Sequence, residues 1–220
     1  MTQPAVSRVV LVHGIWMPGA VMAWLAARLR RAGFECEMFA YNGVTRGPDH
    51  AARRLAPILA QRPAHVVAHS LGGLITLQAL RADPQLPVRR VVCLGSPLRG
   101  SGAVLGMRRR AWAAATLGHA AELLEHGFDE WRGPAEVGVI AGTVPHGLGH
   151  VFAGFDGDHD GSVAVEETRL PGLADHAVVA ASHSGMLFSA EAAQLAIRFL
   201  REGRFRAEDA GPAAAGPGAR

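Results

Sequence analysis

The stretch that most constrains this chain runs from Ala64 to Gly73, A-H-V-V-A-H-S-L-G-G. The apolar run Val66-Val67-Ala68 stops at a serine flanked by small residues, and an apolar helical pattern, Leu71, Leu74, Ile75, Leu77 and Leu80, begins at once. Strand, sharp turn and helix therefore follow one another without a loop. Such a turn pushes one side chain outward, above the positive end of the following helix, and its neighbours must be small to avoid collision. A serine held in that way, Ser70, is placed as a nucleophile needs to be. The string alone is a weak signal, because an ordinary tight strand-to-helix turn reads the same way. The rest of the chain has to decide.

With Ala68 at the first glycine position and Gly72 at the second, the turn is a near match to G-x-S-x-G, and alanine is small enough to keep the geometry. Here the chain resembles the lipase and esterase branch of the α/β-hydrolase family, whose members often carry A-H-S-x-G-G at this turn. A second resemblance lies at the first apolar strand, Val9 to Val12, which ends in His13-Gly14-Ile15-Trp16. By that resemblance Ile15 donates one backbone N–H to an oxyanion hole and Leu71, after the serine, donates the other. His13 reads as a brace for the loop rather than a base, and Trp16 either covers the core or lines an acyl pocket.

Further along, strand-like and helix-like segments alternate with short connections: a helix from Pro18 to Ala32 stopped by Gly33, a strand Cys36 to Tyr41, a helix Asp49 to Gln61, the elbow, and a strand Arg90 to Gly95. The strands Val137 to Thr143 and His176 to Ala181 and a final helix Ala190 to Arg201 follow. This order predicts an α/β fold, a mostly parallel, doubly wound sheet of about six strands with helices on both faces and catalytic groups at the carboxyl ends of the strands. One long excursion, Arg99 to Gly133, is Gly-rich at first and then helical from Ala111 to Gly127; it reads either as a small cap or lid, where the family places one, or as a lengthened crossover helix. Residues 1–206 are expected to form one domain, and the Ala/Gly/Pro-rich tail 207–220 to be disordered.

After the Val137 strand comes a loop with His146, His150, Asp156, Asp158, His159 and Asp160. Asp156-x-Asp158-x-Asp160-Gly161, then five residues and Glu167, fits the written calcium-loop pattern, but that loop belongs between two helices and this one does not. Asp160-Gly161-Ser162-Val163 resembles the D-G-x-V segment that carries the acid of lipase triads, so Asp160 is favoured, with Asp158 and Asp156 behind it. A zinc site from the histidines is disfavoured by their spacing. His183, in Ser182-His183-Ser184-Gly185-Met186, stands just past the last strand, where these hydrolases carry their base. Ser70, Asp160 and His183 follow one another in the family's chain order.

Composition narrows the classes. With 49% hydrophobic and 19% charged residues the chain is that of a globular protein, and no apolar run approaches the roughly 20 residues that span a bilayer. Met1 to Arg8 has no apolar signal core, so a cytoplasmic location is expected, without membrane insertion. All 22 basic residues are arginines, which excludes a lysine nucleophile; they are scattered apart from Arg108-Arg109-Arg110, so nucleic-acid binding is not expected. Cys36 and Cys93 lack metal-type spacing and read as buried core residues. The resemblance implies a carboxylic ester hydrolase that needs no metal or organic cofactor and takes a small-molecule, possibly lipid-like, ester. The same triad also serves thioester or amide hydrolysis and acyl transfer, and the fold can serve as a binding module.

Overall fold

The computed structural model describes residues 6–108, 117–146 and 157–206. Asp156, His150, Arg109, Arg110, Trp112 and the tail 207–220 lie outside the described residues. Six strands, β1 (Arg8–Val12), β2 (Glu35–Phe39), β3 (Ala64–His69), β4 (Val88–Leu94), β5 (Glu136–Gly142) and β6 (Asp175–Val179), form one sheet in the order β2-β1-β3-β4-β5-β6. Every neighbouring pair is parallel. The chain leaves β1 toward β2 on one side and returns to β3 on the other, so the carboxyl ends of β1 and β3 form the switch point, where α/β sheets open a crevice.

Val9–Val12 of β1, Val66–Ala68 of β3 and Val91–Leu94 of β4 are continuous apolar runs because helices cover both faces. Val10 and Val12 of β1, Val66 and Ala68 of β3, and Val137 and Val139 of β5 pack on one side with α2 (Gly47–Leu59) and α3 (Leu71–Ala82). Val9, Leu11, Val67, Val92 and Ile140 point the other way, into a second core shared with α1 (Ala23–Arg31) and the final helix, here α6 (Ala190–Glu202). The alternation is that of the strand itself, one residue up and the next down. Two buried arginines close the amino-terminal edge: Arg8 pairs with Glu37 at 2.7 Å and also donates to the Ile58 carbonyl, and Arg90 pairs with Glu136 at 2.5 Å and donates to the Leu200 carbonyl. Their partial pairing with backbone carbonyls satisfies donors that burial would otherwise strand.

Several expectations need correction. Cys93 is buried, but Cys36 is half-buried, because β2 is an edge strand with one flank open. The helix expected from Pro18 begins as a 3-10 turn, Gly19–Met22, and becomes α-helical only at Ala23. The Gly-rich start of the excursion, ahead of the expected helix, itself holds a short helix, α4 (Gly102–Arg108), with Val104 and Met107 buried one turn apart. The Glu167 side chain accepts from the Gly102 N–H at 2.5 Å and so satisfies one of the first-turn donors that have no partner inside the helix. Of the helix expected over Ala111 to Gly127, residues 111–116 lie outside the described residues; the rest is a 3-10 turn, Gly118–Ala120, and a short helix α5 (Ala121–His126). Leu117, Ala120 and Leu124 of this part are buried in the same core as α2 and α3. Among the described residues, no helix is long and apolar enough to cross a membrane.

Candidate active site

Ser70 stands between β3 and α3, with φ 53° and ψ −125°. A non-glycine residue at positive φ costs on the order of 1–3 kcal/mol, which the surrounding structure must over-determine. It does so by clamping the turn: the Ser70 N–H donates to the Leu94 carbonyl at 2.9 Å, and its carbonyl accepts from Gly73 at 3.0 Å. As the first residue of α3, Leu71 has an N–H outside the intrahelical ladder.

The small residues around the turn are there for space. A Cβ on Gly72 would stand 2.5 Å from the Val12 carbonyl oxygen and 2.6 Å from that of His13, so α3 can approach β1 only because that position is bare. Both obstacles are backbone and cannot swing away. Gly72→Ala is therefore expected to destabilise by about 1–3 kcal/mol, lowering the melting temperature by several degrees in a thermal denaturation scan; an unchanged melting temperature would contradict this packing.

After β1 the loop His13-Gly14-Ile15 comes up beside the serine, and a Cβ on Gly14 would lie 3.1 Å from that of Ser70. His13 is the expected brace. Its ring stacks on Tyr41 at 4.4 Å; its Nδ1 donates to the Gly14 carbonyl at 2.7 Å, and its Nε2 accepts from the Tyr41 N–H at 3.2 Å. The Tyr41 hydroxyl in turn donates to the His13 carbonyl at 2.9 Å. Ile15 is half-buried against the α2–α3 core, whereas Trp16, at φ 60° and 55% exposed, does not cover the core.

The candidate acid and the candidate base meet at the neighbouring strand ends. His183 Nδ1 lies 2.7 Å from Asp160 Oδ2, and the His183 N–H donates to the Asp160 carbonyl at 2.9 Å. The other carboxylate oxygen, Oδ1, accepts from the N–H groups of Ser162 and Val163 at 2.9 and 2.8 Å. Asp160 is 1% exposed. Burial in that condition tolerates a carboxylate because both of its oxygens are hydrogen-bonded. Gly95, at the end of β4, leaves room for the pair: a Cβ there would stand 3.0 Å from Asp160 Oδ2 and 3.1 Å from His183 Nδ1.

Of the other candidate acids, Asp158 is exposed and Asp156 lies outside the described residues. Two carboxylates of the calcium pattern, Asp160 and Glu167, are engaged by groups of the protein itself. Glu167 accepts from the N–H groups of Gly102 and Ala164, tying the start of the excursion to the acid loop, and its desolvation raises its pKa. Among the described residues no group of three or more His, Cys, Asp or Glu side chains converges as metal ligands do.

One neighbour of the candidate site escapes a sequence reading. His69, beside the serine, is fully buried, and its Nε2 lies 2.9 Å from the His183 carbonyl. The available signal was a histidine in an otherwise apolar buried strand.

Buried histidines also set a pH dependence. Burial pushes His69 down to about 3, and burial, aided by neighbouring arginines, pushes His65 and His176 down to about 4. Their folded-state pKa values lie below the unfolded value, so the stability they contribute is complete above pH 6.5 and is lost as pH falls from 6.5 toward 4 and below. Each such site removes at most about 1.4 kcal/mol per pH unit. Denaturant melts across that window are expected to show falling stability; a flat profile would contradict the buried neutral state.

No family model and no curated protein matches this chain. Solved structures do. Among them are the mature form of the Bacillus licheniformis lipase BlEst2 (TM-score 0.71, 22% identity, covering 85% of this chain and 89% of that one) and the pyrethroid hydrolase PytH (TM-score 0.64, 16% identity, covering 90% and 99%). A metagenomic carboxyl esterase, MGS0156, is also similar (TM-score 0.64, 19% identity, covering 82% of this chain and 65% of that one).

Proposed function

Because the chain has the α/β-hydrolase fold of these structures, we propose that it is a serine hydrolase that cleaves carboxylic esters through an acyl-enzyme. The observation that carries this reading is the Asp160–His183 pair, held at 2.7 Å at the strand ends that also present the strained Ser70 turn. His183 Nδ1–H donates to Asp160, which fixes the tautomer with a free lone pair on Nε2. That nitrogen takes the Ser70 proton as Oγ attacks the ester carbonyl. The negative charge that develops on the carbonyl oxygen is met by the N–H groups of Ile15 and Leu71, each such donor being worth about 2.7–4 kcal/mol of barrier. His183 then gives its proton to the leaving alkoxide. Water, deprotonated by the same nitrogen, attacks the acyl-enzyme, and the acid and free Ser70 are regenerated.

The test is hydrolysis of p-nitrophenyl esters of rising chain length, with and without a chelator. Turnover that ignores the chelator supports the reading, and the preferred chain length separates an esterase from a lipase. Absence of turnover on every ester, with turnover of thioesters or amides instead, would move the same residues to another acyl donor; no turnover on any of them would point to a binding module.

A further inference from the structure

His69 takes no part in the steps above, yet its placement is unusual for a histidine. Its side chain is fully buried, and its ring centroid lies 4.7 Å from that of His183. The 2.9 Å contact of Nε2 is to a backbone carbonyl, which can only accept, so Nε2 carries the hydrogen and Nδ1 does not. Nδ1 is buried without a hydrogen-bond partner, so the ring's polar contact is the one to His183. Desolvation keeps the ring neutral, its pKa pushed down to about 3, so it adds a donor beside the base without adding a charge there.

His183 is gripped at three places. Its N–H and its Nδ1 are both held by Asp160, at 2.9 and 2.7 Å, while its carbonyl is held by His69, across 114 residues of sequence. The first two fix the base to the acid loop. The third fixes it to β3, the strand that leads into Ser70.

Resting on the serine-hydrolase reading, we propose that His69 is a positioning residue that sets the distance between base and nucleophile by tying the His183 backbone to β3. Without this bond the base follows the acid loop alone, and misplacement by about 1 Å is enough to cost on the order of 100-fold in rate.

The test compares kcat, KM and the pH profile of ester turnover in the wild type, His69→Leu and His69→Gln, together with the rate at which a fluorophosphonate labels Ser70. Glutamine carries an amide N–H about where Nε2 stands; leucine fills the space without a donor. His69→Leu is expected to lower kcat about 100-fold with little change in KM, and to displace the pH limb that reports the base. His69→Gln is expected to recover at least about tenfold of that loss. Independently of whether either variant folds, ¹⁵N NMR of the wild-type protein is expected to show His69 as the neutral Nε2–H tautomer throughout the pH range in which free histidine titrates.

A folded His69→Leu protein with wild-type kcat and pH profile overturns the proposal, as does a glutamine variant no better than leucine. So does a His69 ring that titrates like free histidine or carries its hydrogen on Nδ1. A wild-type protein that neither turns over esters nor is labelled at Ser70 overturns the serine-hydrolase reading and this proposal with it; labelling of both wild type and His69→Leu at equal rates overturns this proposal alone.

Discussion

Ser70→Ala is expected to reduce kcat for ester hydrolysis by roughly a millionfold while leaving the protein folded. The size of the effect follows from where the serine stands. The backbone at φ 53° is held by the Leu94 and Gly73 hydrogen bonds and not by the hydroxyl, so alanine inherits the turn and loses only the nucleophile. What is expected to survive is the polarising effect of the oxyanion hole proposed at the Ile15 and Leu71 N–H groups, about 10³–10⁴ over water in serine hydrolases that have lost a triad member. Steady-state kinetics on the best p-nitrophenyl ester, beside a thermal melt, check both halves. A variant that keeps its turnover would place the nucleophile elsewhere.

Asp160→Asn is expected to lower kcat about 10⁴-fold with a small change in KM. An amide oxygen can still accept from Ser162 and Val163, as Oδ1 does now at 2.9 and 2.8 Å, so the loop keeps its shape. The amide nitrogen then faces His183 Nδ1, where Oδ2 stood at 2.7 Å, and two donors cannot share that contact. The imidazole is forced toward the other tautomer, its hydrogen on Nε2, and cannot take the serine proton. The comparison is Asp158→Asn, an exposed carboxylate two residues away, which is expected to leave kcat within about twofold. Equal losses at both positions would contradict the assignment of the acid.

The parts of this arrangement that were legible in the sequence are local. A buried strand of a doubly covered sheet has to be continuously apolar, so β1 and β3 declared themselves, and the step from Ala68 to Leu71 left no room for anything but a sharp turn. The chain order of Ser70, Asp160 and His183 came from likeness to a family rather than from periodicity. The choice among three aspartates rested on the same likeness, and geometry separates the two that can be compared: Asp160 is buried with its oxygens met, Asp158 is exposed.

What was not legible depends on contacts between distant segments. The helix Gly102–Arg108 is tied at its first turn by Glu167, 65 residues away, a residue that the local pattern placed in a calcium loop. His69 looked like the variable position of an elbow until its partner, His183, was seen across the sheet. The half-buried state of Cys36 follows from β2 lying at the sheet edge, which strand composition does not reveal.

The central claim is that Ser70 is a nucleophile activated by His183. The measurement that tests it most directly is covalent labelling with a fluorophosphonate, followed by mass mapping of the modified peptide in the wild type and in His183→Ala. The account predicts one adduct, on Ser70, formed at least about a thousandfold more slowly in the His183 variant. No adduct in the folded wild-type protein, or one formed at the same rate without His183, would contradict it.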